Sequence, residues 1–210
     1  MFSYVNINTS AEYITLHETY FLTDVYDIAH AAKSEQQWQQ FYIIHFISFI
    51  SLSDSNYNFA LSKPTVQSST YTNSYGLYVS SLAVDGNRLN LASYNNKPMC
   101  SLTNNDGTAW WRVDLQHEIP VVRVTITNRE HSVYWVRLNN FEIRIGNSLV
   151  DEGMVNPKCG EQHSVGRGLT ETINCSPPLS GRYLLVDSLQ DTNMQICELE
   201  VYTDPSLIGE

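Results

Sequence analysis

The sequence predicts an all-β domain from about residue 57 onward, an antiparallel sandwich or barrel, behind an N-terminal stretch of different character. Three observations carry this. Apolar and polar residues alternate with a period of two in four separate segments, as half-buried strands do. Turn-forming Asn, Gly and Pro separate these segments, and Asp85-Gly86 and Asp106-Gly107 are the clearest turn signals. No helical period of useful length appears beyond residue 57.

The N-terminal stretch, residues 1–56, holds one base (Lys33) and six acids, and no cysteine. Its strongest apolar run is Phe41-Tyr-Ile-Ile-His-Phe-Ile-Ser-Phe-Ile-Ser-Leu52. That is short of the roughly 18–20 apolar residues of a membrane-spanning helix, so no membrane span is expected. It has the length of a signal-peptide apolar region, with small residues Ser51 and Ser53 after it. Residues 1–40 therefore read as a mis-assigned 5′ extension and residues 41–53 as the remains of an export signal. The alternative is one or two helices packed on the domain, because Leu22, Val25, Tyr26 and Ala29 fall at helical spacing.

The strands follow in order. Trp111, Val113 and Leu115 alternate with Arg112 and Asp114; Val122, Val124 and Ile126 with Arg123 and Thr125. Phe141, Ile143 and Ile145 alternate with Glu142 and Arg144; Cys197, Leu199 and Val201 with Glu198 and Glu200. Of Trp110 and Trp111, one is expected in the core and one at the surface. With no internal repeat, residues 57–203 read as one β domain and residues 204–210 as a C-terminal tail.

Composition narrows the function. Twelve Lys+Arg against twenty-two Asp+Glu give a formal charge of −10, which disfavours nucleic-acid phosphates and anionic membranes as partners. Cys100, Cys159, Cys175 and Cys197 are an even set without a C-x-x-C pair. That speaks for two disulfides in an oxidising compartment, in any of three connectivities, over zinc or redox chemistry. No G-x-S-x-G, H-E-x-x-H, P-loop or G-x-G-x-x-G is present, and His117, His131 and His163 sit in no nucleophile pattern. No enzymatic activity is expected. Asn174-Cys175-Ser176 is a glycosylation sequon with an unusual middle residue. His117 and His163 read as surface residues.

Seven blocks stand in a fixed order: Asn58-Phe-Ala-Leu-Ser-Lys-Pro-Thr-Val-Gln-Ser-Ser69, Ala83-Val-Asp-Gly-Asn87, Trp110-Trp-Arg-Val-Asp-Leu115, Val124-Thr-Ile-Thr-Asn-Arg129, Phe141-Glu-Ile-Arg-Ile-Gly146, Gly181-Arg-Tyr183 and Gln195-Ile-Cys-Glu-Leu-Glu-Val201. In this order they resemble the F-type lectins, or fucolectins, a family of galactose-binding, discoidin-like domains, over residues 57–203. The resemblance implies an antiparallel jelly-roll β-sandwich that binds fucose-type glycans. It implies a Cys100–Cys197 disulfide and a local Cys159–Cys175 bridge. It also implies a structural Ca2+, held by the carboxylates of Asp85 and Glu198 and the carbonyls of Leu82, Asn87, Met99 and Cys197. Calcium takes six to eight oxygens, and this set supplies six.

The sugar site implied by the resemblance is divergent here. Arg129 matches the family's first arginine. Arg137 matches the second, one residue later than usual. His131 occupies the aspartate position, and Leu102 the histidine position. Tyr94, Tyr134 and Trp135 are candidate aromatic faces for a sugar ring. A guanidinium is a rigid fork of donors that matches adjacent hydroxyls, whereas a leucine donates nothing. The expected protein is a secreted, calcium-stabilised glycan binder that gains avidity by homo-oligomerisation. Two alternatives remain: a discoidin-like protein- or lipid-recognition module with Trp135 as an apolar tip, and a domain split from a larger glycosidase or other enzyme.

Overall fold

Residues with a period of two form strands because successive side chains point to opposite faces, so one face can be buried and the other wetted. The structure, a computed structural model, describes residues 57–207. The readings made for residues 1–56, the export-signal run included, and for residues 208–210 lie outside the described residues.

In chain order the strands are β1 (Thr65–Gln67), β2 (Thr72–Asn73), β3 (Gly76–Leu77), β4 (Ser93–Tyr94), β5 (Lys97–Pro98), β6 (Ser101–Leu102), β7 (Trp110–Thr127), β8 (Phe141–Gly146), β9 (Thr170–Ser188), β10 (Gln195–Ile196) and β11 (Glu198–Thr203). Short 3-10 turns lie at Ser80–Ala83, Tyr134–Leu138, Val150–Gly153 and Pro205–Leu207. Among the described residues all strand pairs are antiparallel.

β7 and β9 form one long ribbon that serves both layers of a β-sandwich. The first half of β7 lies between β1 and the second half of β9, and β8 follows on the far side. The second half of β7 lies between β11 and the first half of β9. Between the halves the register jumps from Asp114↔Tyr183 to Ile119↔Gly181, so residues 115–118 of β7 stand opposite Arg182 alone. Such a bulge bends and twists a ribbon. Gln116 takes the left-handed backbone conformation there, with φ +71°. Arg182 clamps the bend, donating from Nε and Nη2 to the two carboxylate oxygens of Asp114, each at 2.7 Å.

The apolar faces of both halves meet in one core. Trp111, Val113, Ile143 and Ile145 come from one side, and Val124, Ile126, Leu199 and Val201 from the other. Trp111 is buried with its indole N–H donated to the Ser80 carbonyl at 2.9 Å, while Trp110 is half-buried. One inward position differs from the sequence expectation. Val121, not Val122, is fully buried, because a second register shift between Val121 and Arg123 turns the chain over by one residue. His163 also differs: it is partly buried, and its Nε2 meets the Cys159 carbonyl at 2.8 Å. His117 is exposed.

Two disulfides staple the chain, Cys100–Cys197 and Cys159–Cys175. The first joins the end of the β5–β6 segment to the residue between β10 and β11. β6 pairs with β10 through Leu102↔Gln195 and Ser101↔Ile196. Among the described residues no helix is long and apolar enough to cross a membrane.

Candidate functional site

Asn128, one residue past β7, is fully buried and organises the loop that follows. Its amide donates to the carbonyls of Trp135 at 2.9 Å and Val165 at 2.7 Å, and its Oδ1 accepts the Arg129 N–H at 2.7 Å. Buried carbonyls left without such a partner cost about 1–3 kcal/mol each. The 131–137 loop is thereby tied to the end of β7, and Arg129 leaves the sheet in a defined direction.

Arg129 reaches across to β10, where its Nη1 donates to Gln195 Oε1 at 2.7 Å. Gln195 is fully buried, and its backbone pairs with Leu102. Arg137 projects from the 3-10 turn Tyr134–Leu138, whose last residue, Leu138, is anchored in the core. Both guanidinium groups face the ring of Tyr134, Arg137 at 4.2 Å and Arg129 at 5.3 Å from its centroid. This is cation–π geometry. Together they line a cleft of about 230 Å3, whose other walls include Leu102, Tyr71, Asn73, Tyr75, Tyr78, Ala92 and Ser93.

Thus Arg129, Arg137 and Leu102 come together in one cleft. His131 and Tyr94 do not line it. His131 stacks on Tyr134 with ring centroids 4.6 Å apart, and its Nδ1 accepts the N–H groups of Val133 at 3.1 Å and Tyr134 at 3.3 Å. It shapes the loop that carries Arg137. Tyr94 is about half exposed. Trp135 contributes its carbonyl to Asn128. The sequence reading missed Tyr71, Asn73, Tyr75, Tyr78 and Gln195. The available signal was the density of tyrosines between residues 71 and 78, which flank the two-residue strands β2 and β3, too short for a period to show.

The electrostatics follow from this packing. Burial holds the Arg129 pKa below its usual value, and the neighbouring Arg137 charge lowers it further. Burial also lowers that of Arg137. An arginine so shifted still carries its charge at neutral pH. The His131 pKa is lowered by burial and by Arg129, Arg137 and Arg167, which keeps Nδ1 free to accept its two N–H groups.

The second candidate set lies around β11. Glu198 is fully buried, and its Oε1 accepts the Gly86 N–H at 3.0 Å, while its Oε2 has no hydrogen-bond partner. Burial, then the neighbouring charges of Asp85 and Glu200, push its carboxyl up to about 8. Asp85 makes an Asx turn, accepting the Asn87 N–H at 2.9 Å. The turn at Ser80–Ala83, which includes Leu82, contacts β11, and the Cys100–Cys197 bond ties the residue after Met99 to the residue before Glu198. A buried carboxylate oxygen without a partner, next to a second carboxylate, fits a hard cation with oxygen ligands. No group of three or more His, Cys, Asp or Glu suited to a metal occurs among the described residues, so carbonyls would have to complete the shell.

Known proteins place this arrangement. Residues 82–186, half of the chain, match the family model described as NedA-like, galactose-binding domain. Fucolectin-5 of Anguilla japonica is 40% identical over 119 residues, 57% of this chain and 61% of that protein. The chain therefore spans about three fifths of that curated relative. The fucolectin of Anguilla anguilla is 34% identical over 122 residues, 58% of this chain and 75% of that protein. Among solved structures, the F-lectin (fucolectin) from the serum of striped bass, Morone saxatilis, superposes with a TM-score of 0.62 at 35% identity, covering 69% of this chain and 48% of that one. On its sequence blocks, its sandwich and these matches, the chain belongs to the fucolectin family of F-type, galactose-binding-like lectin domains.

Proposed function

We propose that this domain binds a saccharide of the fucose type, without chemistry, in the cleft between Arg129, Arg137 and the tyrosine wall. The observation that supports this most directly is the convergence of two guanidinium forks on one tyrosine ring. Forked N–H donors match pairs of adjacent hydroxyls. Leu102, Tyr71, Tyr75 and Tyr78 line the cleft, and an aliphatic and aromatic lining suits the less polar face of a sugar. Leu102 donates no hydrogen bond where the related lectins are expected to have a histidine. One lost hydrogen bond of this kind costs about 1–3 kcal/mol, roughly ten- to a hundredfold in affinity. Single-site binding is therefore weak, and assembly into a homo-oligomer supplies avidity.

Ca2+ would be held by Asp85 and Glu198 with the carbonyls of Leu82, Asn87, Met99 and Cys197. When bound, it cross-links the 82–87 turn to the last strand and neutralises the buried Glu198. Export to an oxidising compartment accords with the two disulfides.

Binding to a glycan array, with and without EDTA, tests this reading. Arg129→Ala is expected to abolish the signal, and Glu198→Gln to abolish any thermal stabilisation by added Ca2+. Binding only to phospholipid vesicles or to a protein receptor, with no glycan retained, would replace this reading with a discoidin-like recognition module.

A further inference from the structure

The cleft carries two positive charges and no negative one. None of the residues lining it is acidic. Among the described residues neither Arg129 nor Arg137 takes part in a salt bridge, although Arg88, Arg112, Arg144, Arg167 and Arg182 each do. The polar partner of Arg129 is a neutral amide, Gln195, and its Nε is buried without any partner. Arg137 rests on the Tyr134 ring. The nearest acid along the chain, Glu130, is held by Arg167. Where an F-type lectin is expected to place an aspartate, this chain has His131, a neutral ring locked in by two backbone N–H groups. Each guanidinium also lowers the pKa of His131, and Arg137 that of Arg129, as a net positive field does.

Two half-buried cations without a counter-charge are costly, and the cost is relieved by an anion from outside. A neutral hydroxyl pair does not relieve it. A sulfate or carboxylate does, through charge-assisted, bidentate N–H···O bonds.

We propose that the saccharide this cleft takes carries an oxyanion, a sulfate or a carboxylate, held by Arg129 and Arg137. This inference rests on the saccharide-binding reading above and names the class of its ligand. The sugar ring lies against the tyrosines of the cleft, and the anionic group meets the guanidinium groups of Arg129 and Arg137.

The experiment compares L-fucose and galactose with fucose sulfate, galactose sulfate, glucuronic acid and N-acetylneuraminic acid, by calorimetry at 50 and 300 mM NaCl. Inorganic sulfate serves as a separate ligand. At least one charged sugar is expected to bind tenfold or more tightly than the neutral sugars, with the advantage shrinking at 300 mM NaCl. The sulfated and carboxylated arms distinguish the two sources of charge. His131→Asp is expected to reverse the preference by at least tenfold, and circular dichroism and Tm report whether that variant is folded. Arg137→Gln is expected to remove the preference without His131→Asp being needed. Equal affinity for neutral and charged sugars overturns the inference and leaves the saccharide reading standing. Charged sugars that bind no better than inorganic sulfate, with neutral sugars silent, overturn both, because the cleft then recognises the anion alone. No binding of any sugar or of sulfate by folded protein also overturns both.

Discussion

His131 shows how one side chain can belong to a site without touching its contents. Its Nδ1 accepts two backbone N–H groups and its ring stacks on Tyr134, so it sets the loop that delivers Arg137. Burial and three arginines hold its pKa below 6.5. The folded state therefore resists protonation more than the unfolded chain does. The stability associated with this group is present above pH 6.5 and is lost progressively as pH falls below it. Glycan affinity is expected to stay flat between pH 6.5 and 8 and to decline in acid as Nδ1 takes a proton and the two N–H acceptors are lost. Affinity measured across that range, alongside the imidazole titration by NMR, checks this; a decline already complete at pH 7.5 would contradict it. Glu142 illustrates the opposite case. Burial alone would raise its pKa, but Lys158 and Arg144, at 2.6 and 2.7 Å, hold it below the ordinary value.

At the scale of elements, the bend in the β7–β9 ribbon decides whether the two layers can meet. Gly181 lies at the bend, opposite Ile119, and a Cβ there would collide with the backbone of Gly146 on the neighbouring segment. No flexible side chain can yield, because the obstacle is main chain. Gly181→Ala is expected to destabilise the domain by about 1–3 kcal/mol, the usual range for overpacking. Urea unfolding measures this as a lower midpoint at unchanged slope. A second irregularity, which leaves Val122 as an extra residue opposite β11, explains why the alternation in residues 121–126 slips. A one-residue insertion in one strand reverses which side chains face inward, and nothing local in Val121-Val122 marks where it falls. β11 offers a related lesson. Glu198 and Glu200 alternate with apolar residues as on a wetted face, yet both are buried. Glu200 is satisfied there by Arg88 and by the Tyr202 hydroxyl, and Glu198 by one N–H only.

The domain as a whole is held by two staples of unequal reach. Cys100–Cys197 closes 97 residues and Cys159–Cys175 closes 16. In the chain-entropy account the longer loop contributes about 4–5 kcal/mol and the shorter about 3 kcal/mol. Replacing the Cys100/Cys197 pair by alanine is expected to cost the larger amount and also to loosen Met99 and Glu198, lowering any stabilisation by Ca2+. Replacing the Cys159/Cys175 pair is expected to leave that response intact. Denaturation of each double variant with and without Ca2+ separates the two.

By itself the sequence determined the fold class and the inward faces of most strands, because period and turn chemistry are local properties that survive in one dimension. Its resemblance to the F-type lectins also singled out Arg129, at the end of the Val124–Arg129 block, and Arg137, at the family's second arginine position. Only the tertiary structure decided that both guanidinium groups face one ring, that Tyr71, Tyr75 and Tyr78 line the same cleft, that His131 supports the loop and that Glu198 is buried. The physical reason is common to all four. They depend on which loops converge when the β7–β9 ribbon folds over, and on how much water is excluded where they meet. Convergence between residues as far apart as 71 and 195 leaves no trace in the spacing of either.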